Sequence, residues 1–276
     1  MIVAGQGDHP STSLRAGSGA PLPITLTALL NIPLIQRGDD LAAIILRGLA
    51  DAHIELQDDD VLVLAQKIVS KAEGRMVRLR DVTPSPRALE LAQQSGKDAR
   101  FCEVVLWDTR EIVRVRSGLI VVETKHGWVC ANAGIDRSNV APPSSDDEEW
   151  ILRLPEDADR SARELRECLR AATSRAVGVI INDSHGRAWR NGAVGVAVGV
   201  AGLPGIEDLR GHPDLFGYQL QVTTVGFADQ IASAASLLQG QADEGCPIIH
   251  ARGVSLSRRD GSAREIVRAK EHDLFR

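Results

Sequence analysis

The chain has 276 residues, of which 43% are hydrophobic, 25% charged and 3% aromatic, with a formal net charge of -5. That length allows one large domain or two interlocked ones, with a core built from Val, Ile, Leu and Ala. The acidic balance excludes the concentrated basic surface that nucleic acid requires, but not divalent cations, which respond to local carboxylate clusters.

Residues 1–21 are rich in Gly, Ser, Ala and Pro and read as a disordered extension, with the folded domain over 22–276. The first twenty residues lack the basic start and apolar run of a secretory leader. The longest weakly polar stretch, 193–203, is too short and too glycine-rich to span a bilayer. A cytoplasmic protein without membrane contact is expected. Asp39 and Asp40 can cap a helix carrying Leu41, Ile44, Ile45 and Leu49 on one face. Residues 61–65 read as a buried strand, and 85–94 as a helix ending near Gly96. Strands are expected over 102–107, 112–115, 119–123 and 128–131, and their short connections favour antiparallel pairing. After an acidic, proline-containing loop over 142–149, Ser161 and Glu164 form a capping box before the apolar stripe Leu165, Leu169 and Ala172. Further strands are expected over 177–181, 194–200, 220–225 and 248–251. A helix marked by Ile231, Ala234, Ala235 and Leu238 should stop at Gly240. The fold class is α+β, with mixed, largely antiparallel sheets and flanking helices, and no internal repeat.

Cys102, Cys130, Cys168 and Cys246 have no CxxC spacing, which disfavours a zinc ribbon or a thioredoxin-type site. They are expected as small buried hydrophobes in a reducing cytosol.

Four segments can carry chemistry, each with an ordinary alternative. In QKIVSKAEGR (66–75), two lysines, a serine and a glycine after a strand can hold phosphates; the same residues suit an exposed polar turn. ANAGIDRSNV (131–140) crowds an aspartate and two asparagines, which can hold magnesium or manganese or close an Asx-turn. NDSHGRAWRNG (182–192) follows a strand. Its aspartate can hold a cation, and the planar forks of Arg187 and Arg190 can hold phosphate or carboxylate, unless the segment is a plain structural turn. His185 reads as a solvated side chain. In QGQADEGCP (239–247), two glycines free the backbone for close approach to a ligand or simply end a helix. There is no P-loop, since Gly96 and Lys97 are followed by Asp98, and no Rossmann fingerprint.

Taken in order, these segments resemble the coenzyme F420-0:L-glutamate ligase family, the F420 gamma-glutamyl ligases. The likeness runs over about 22–275. Its further landmarks are Ile32 to Ile35 with Gly38 to Leu41, Leu154 with Pro155, Asp159, and Ser161 with Ala162. The resemblance implies that GTP phosphorylates the lactyl carboxylate of F420-0 and that the amine of L-glutamate then attacks the acyl phosphate. A second, gamma-linked glutamate is within the family's range. It implies two divalent cations, Mg or Mn, and leaves room for a monovalent cation such as K. Asp136 and Asp183 would bind the first divalent cation, and Ser184 and Gln241 the second. The nucleotide would be met by Ile32, Pro33, Leu34, Ile35, Gln66, Lys71 and Asn139, and by the loop of Gln239, Gly240, Gln241, Ala242, Asp243, Glu244, Gly245 and Cys246. An intertwined homodimer is implied, and no appended flavin-binding domain is expected. Gln66 replaces a frequent serine, and His185 an aromatic or aliphatic residue. The rival readings are a glutamyl ligase for another carboxylated cofactor, such as a pterin, and a non-catalytic nucleotide-binding relative.

Overall fold

The computed structural model describes residues 23–140, 149–254 and 259–274. The extension expected over 1–21 and nearly all of the acidic loop lie outside the described residues. In chain order, the elements are β1 (Thr25–Ala28), α1 (Leu41–Asp51), β2 (Val61–Ala65), α2 (Gln66–Ala72), β3 (Met76–Arg78), α3 (Pro86–Ser95), α4 (Ala99–Asp108), β4 (Thr109–Arg116), β5 (Leu119–Thr124), β6 (Val129–Ala131), β7 (Trp150–Leu152), α5 (Ala158–Thr173), β8 (Gly178–Arg187), β9 (Arg190–Ala201), β10 (Glu207–Asp208), β11 (Thr224–Val225), α6 (Phe227–Gln239) and β12 (Ile248–Arg252).

The main sheet has the order β1-β12-β2-β8-β9. Its neighbours are antiparallel except β2 and β8, which run parallel. Both faces are buried. Leu62, Leu64, Val179 and Ile181 face a core shared with α1 and α5, while Val61, Val63 and Ile180 face a second core under α6. Burial on both sides explains why β2 reads as an unbroken apolar run rather than an alternating one. The ends of α1 and α3 follow their sequence signals. The Asp40 carboxylate accepts from the Ala43 N–H at 3.0 Å. Ser85 caps α3, and Gly96 closes it in the left-handed region.

The glycines of β9 are contact points. A Cβ on Gly195 would lie 2.6 Å from the Ala232 carbonyl of α6, and one on Gly199 would lie 2.4 Å from the Ala158 carbonyl of α5. These glycines are four residues apart yet meet helices on opposite faces, because the pairing slips by one residue between Ile181–Gly199 and Asn182–Ala197. The extra residue, Val198, is a β-bulge that reverses the alternation.

A third core lies under α3 and α4 and is closed by the sheet β4-β5-β6. Here only one face is buried. Ile120 and Val122 of β5 point into the core, whereas Leu119 and Val121 point away from it into a cleft. The pair β3–β7 ties this unit back to the main sheet's flank.

Several expectations need correction. Residues 102–107 are not a strand. They lie within α4, whose N-cap Asp98 accepts from the Arg100 N–H, and whose buried face is Phe101, Cys102, Val104 and Val105. A short apolar run shows no period that separates strand from buried helix. Helix α5 begins before Ser161, with Asp157 as its cap; the Ser161 hydroxyl instead donates to Glu73 and to the Asp157 carbonyl. Ala172 is exposed, outside the stripe. The strand over 220–225 shrinks to β11, paired with β10. The polar run at 66–75 opens as a helix rather than a turn. Strand β8 continues through Arg187, so that motif is the tip of a hairpin: the end of β8, the turn at Ala188 and Trp189, and the start of β9. Of the four cysteines, Cys102 is buried, Cys130 and Cys246 are half-buried, and Cys168 is exposed.

Candidate active site

The parallel pairing of β2 and β8 creates the site. Ala65, the last residue of β2, pairs with Asn182 midway along β8, where the parallel register ends. Gln66 therefore starts α2 beside the point where β8 presents Asp183 and Ser184. Open sheets place ligands at the carboxyl ends of parallel strands for this geometric reason.

The third contribution comes from the 131–140 segment. Asn132, Ala133 and Gly134 all have positive φ (52°, 57° and 70°), which folds the chain tightly after β6. Asp136 is then pinned by two backbone hydrogen bonds to Leu152, each 2.9 Å. Its side chain meets α2: the Gln66 amide donates to Oδ2, and Lys67 Nζ lies 2.9 Å from Oδ1. The Ser70 hydroxyl donates to Gln66 Oε1 at 2.8 Å and fixes that amide's orientation.

The fourth contribution is the loop after α6. Ser184 donates to Gln241 Oε1 at 2.9 Å. Lys71 Nζ donates to the Asn139 carbonyl at 2.7 Å, and the Asn139 amide donates to the Ala242 carbonyl at 2.7 Å. Gly240 and Gly245 both have positive φ, and the Glu244 carboxylate turns back to accept from the Ala242 N–H at 2.8 Å. The Cys246 thiol donates to the Glu244 carbonyl at 3.3 Å, and Asp243 is exposed.

The structure thus joins Gln66, Lys71, Asp136, Asn139, Asp183, Ser184 and the 239–246 loop in one region. It does not bring Ile32, Pro33, Leu34 and Ile35 into bonded contact with them. Ile35 is buried in the main core, Ile32 packs against that core, and Leu34 is 83% exposed. The nearest tie is the Gly38 N–H, which donates to the Ala72 carbonyl at the end of α2. Arg187 and Arg190 stand apart, opposite one another at the far tip of the β8–β9 hairpin.

Three participants escaped the sequence reading. Asn182 is buried and donates to Ser236 Oγ at 2.9 Å and to Gln239 Oε1 at 2.6 Å, locking α6 and its loop onto β8. Lys67, unassigned within its motif, is the counter-charge of Asp136. His185 is not solvated: its ring is largely buried, and Nε2 lies 3.0 Å from Asp183 Oδ2. Only alternation along β8, which puts residues 183 and 185 on one face, could have signalled that contact.

The electrostatics match a site starved of positive charge. Burial pushes the Asp136 carboxyl above its ordinary pKa, the Asp183 charge adds to the rise, and Lys67 opposes it. Burial and Lys67 lower Lys71. Burial alone would lower His185, but contact with Asp183 and the charges of Asp183, Asp229 and Asp136 outweigh it, and the imidazole is raised. The Cys130 thiol is pushed up to about 12 by burial and then by Asp183.

Among the described residues, no three His, Cys, Asp or Glu side chains cluster as a metal-holding group. The donor set here is different: two carboxylates, a hydroxyl and a carboxamide, all hard oxygen ligands suited to magnesium or manganese. Asn132 Oδ1, on the wall that also carries Asp136 and Asp183, is a buried acceptor without a partner, and burying it unpaired is costly. An acceptor without a donor, beside carboxylates that repel one another, fits a divalent cation.

The region opens into a cleft of about 860 Å³ between the open face of β4-β5-β6 and the β8–β9 hairpin. It reaches from Asp136 and Asp183 to Arg187, Trp189 and Arg190, large enough for a cofactor-sized molecule.

Residues 29–253 match the family model described as F420-0:Gamma-glutamyl ligase. The chain is 46% identical over 255 residues to the coenzyme F420:L-glutamate ligase of Methanothermobacter thermautotrophicus, covering 92% of this chain and 99% of that protein. It is 47% identical over 246 residues to the protein of the same name from Methanopyrus kandleri, covering 88% and 93%. For that of Methanocaldococcus jannaschii, the identity is 40% over 249 residues, covering 90% and 95%. With a family match over most of its length and relatives of this similarity, the chain belongs to the F420-0:gamma-glutamyl ligase family.

Proposed function

We propose that this protein is a ligase that joins L-glutamate to coenzyme F420-0 at the expense of GTP. The observation that carries the reading is the convergence of Asp136, Asp183 and Ser184 on one cleft, with Gln241 bonded to Ser184, in a chain that resembles ligases of that name over nearly its whole length.

A carboxylate is a poor electrophile and must be activated before an amine can attack it. A carboxylate oxygen of F420-0 bonds to the γ-phosphorus as the bond to GDP breaks. The neutral glutamate amine then bonds to the acyl carbon, the bond to phosphate breaks, and the nitrogen gives up one proton to the departing phosphate or to water, leaving the amide N–H. Both steps bring anions together, so the dominant demand is charge neutralisation and positioning. Asp136 and Asp183 would hold one divalent cation and Ser184 and Gln241 a second, and such cations supply Lewis acidity toward the phosphoryl oxygens. Lys71, Asn139, Gln66 and the 239–246 loop hold the nucleotide, with 32–35 as its outer wall. Asn182 keeps that loop in register with β8. Arg187 and Arg190 bind an anionic portion of a substrate.

A homodimer belongs to the same proposal. Leu215, Phe216, Tyr218 and Val222 are exposed on the arm between β10 and β11, with Phe216 91% exposed, and a second copy would cover them. Among the described residues, no helix is long and apolar enough to cross a membrane. A cytoplasmic location is part of the reading.

The test is direct. Purified protein is incubated with F420-0, L-glutamate, GTP and manganese or magnesium, and product masses are read. A product heavier by one or two glutamyl units, lost on omitting GTP or metal, is expected. Activity with a pterin acid but not with F420-0 would replace the acceptor. No turnover by folded, GTP-binding protein would make it a non-catalytic relative.

A further inference from the structure

We infer that the tip of the β8–β9 hairpin is a subsite for the aromatic head of the acceptor, with Trp189 as its stacking platform and Arg187, Arg190 and Arg114 as its anion clamp. This rests on the ligase reading above and assigns the end of the cleft that the reacting groups do not use.

Three features converge there. The first is the turn itself. Arg187 and Arg190 are direct cross-strand partners, with Ala188 and Trp189 between them. Trp189 has φ 62°, a conformation in which a bulky side chain is a rare outlier and which such turns usually give to glycine. On this backbone the indole is 86% exposed and lines the cleft. The second feature is charge. Like charges directly opposite one another on paired strands are destabilising. Arg114 of β4 lines the same cleft, so three guanidinium groups share it with a single carboxylate outside the Asp136–Asp183 pair, Asp273. An anion among them relieves the repulsion, and guanidinium groups match phosphate or carboxylate oxygens bidentately. The third feature is the facing wall. Leu119, Val121 and Val129 present an apolar surface on the open face of β5 and β6. A planar ring entering the cleft has an indole on one side and aliphatic side chains on the other.

Spacing links this end to the chemistry. Asp183 and Arg187 lie on the same strand, and four residues of strand span roughly 14 Å. An acceptor whose carboxyl reacts at Asp136 and Asp183 therefore places groups about that far from its carboxyl beside the arginines and the indole. A planar, conjugated ring joined to its carboxyl by an extended anionic linker has that shape. A free nucleotide or glutamate does not need it.

The experiment uses the full chain. Binding of F420-0 is titrated through the fluorescence of its ring in wild type, Trp189→Ala and Trp189→Phe, and KM for acceptor and for GTP is measured in each. Stacking of one ring on one aromatic side chain predicts at least about tenfold weaker F420-0 binding in Trp189→Ala. Acceptor KM should rise in parallel and GTP KM should hold. Trp189→Phe should recover most of the affinity but lose the quenching of indole emission. A ring-less acceptor fragment that keeps the anionic linker and carboxyl should bind wild type and Trp189→Ala alike. Wild-type F420-0 affinity in Trp189→Ala, in an enzyme that glutamylates F420-0, would overturn the subsite and leave the ligase reading standing. Equal loss of ring-less acceptor in Trp189→Ala would also overturn it, by showing a merely structural role. A folded wild-type protein that neither binds nor glutamylates F420-0 would overturn both.

Discussion

The two sheets that meet at the cleft are built on opposite plans. The five-stranded sheet is covered on both faces, and its helices press so closely that β9 has glycine where α5 and α6 touch it. The three-stranded sheet buries one face against α3 and α4 and leaves the other to the cleft. The double-sided sheet can hold Asp183 and Asn182 in fixed positions, because every neighbour is packed. The single-sided sheet supplies a surface, because its outward side chains have no structural duty. Positioning and recognition are thus separated between two cores.

Four substitutions break or sharpen that contrast. Asp183→Asn, on the rigid side, should lower kcat/KM at least about a thousandfold, about 4 kcal/mol of transition-state stabilisation, while the unfolding midpoint stays near wild type. Steady-state kinetics beside thermal denaturation checks both halves, and an active Asp183→Asn enzyme would remove this residue from the metal set. Ile120→Ala, on the buried face of β5, should cost about 2–5 kcal/mol in urea unfolding.

Asp60→Asn tests the far end of β2. The buried Asp60 carboxylate accepts from Arg252 at 2.8 and 2.7 Å and from the Gln57 N–H at 2.8 Å, with His250 Nε2 2.9 Å away. Burial pushes this carboxyl up, but Arg252, His250 and the Gln57 N–H together hold it well below its unfolded value of 3.8. A depressed carboxylate contributes stability above its unfolded pKa and loses it as pH falls through the folded one. The variant should therefore be less stable by about 2–4 kcal/mol at pH 7, and the difference should narrow as pH drops below 3.8. Parallel chevrons or urea curves at several pH values would read this; a constant gap would refute the assignment. The smallest effect belongs to Leu119→Ala, one residue from Ile120 but facing the cleft, which should cost below about 1 kcal/mol. If the two neighbours proved equally costly, the single-sided description of β5 would fail.

Much of the frame was legible. Period-2 and period-3.6 patterns, with a cap at Asp40 and stops at Gly96 and Gly240, located α1, β2, α3, β5, β6, α6 and β12 closely, while β8 and β9 run several residues beyond the strands expected there. The failures have physical causes. The 102–107 run has the β-branched content of a strand, and only its packing around Phe101 makes it a helix. At Ser161, a capping pattern was present but Asp157 took the cap four residues earlier. In the site, the motifs singled out Asp136 and Asp183, the likeness to the family added Ser184 and Gln241, and the fold brings their segments together. The contacts that organise them were harder to read: Lys67 on Asp136 and Asn182 on Gln239 depend on which elements are neighbours, which sequence spacing does not carry, and His185 on Asp183 follows only once β8 is known to run through both. The 32–35 segment shows the converse, since the likeness to the family named it and no bond ties it to the rest.

The parallel pair has a consequence for how the molecule is made. Val61 of β2 is flanked by Gly178 on one side and Ala251 on the other, each more than a hundred residues further along. A ribosome delivers β2 early, and it must wait through the whole of the smaller unit before its first neighbour emerges, and almost to the end for its second. Long-range closures of this kind slow folding and leave strand edges open in the interim. The smaller unit, whose contacts are mostly local, can form while β2 waits. Gln66, Lys67 and Asp183 come together only when that closure is made, so a nascent or truncated chain that stops short of β8 has neither its central sheet nor its active site.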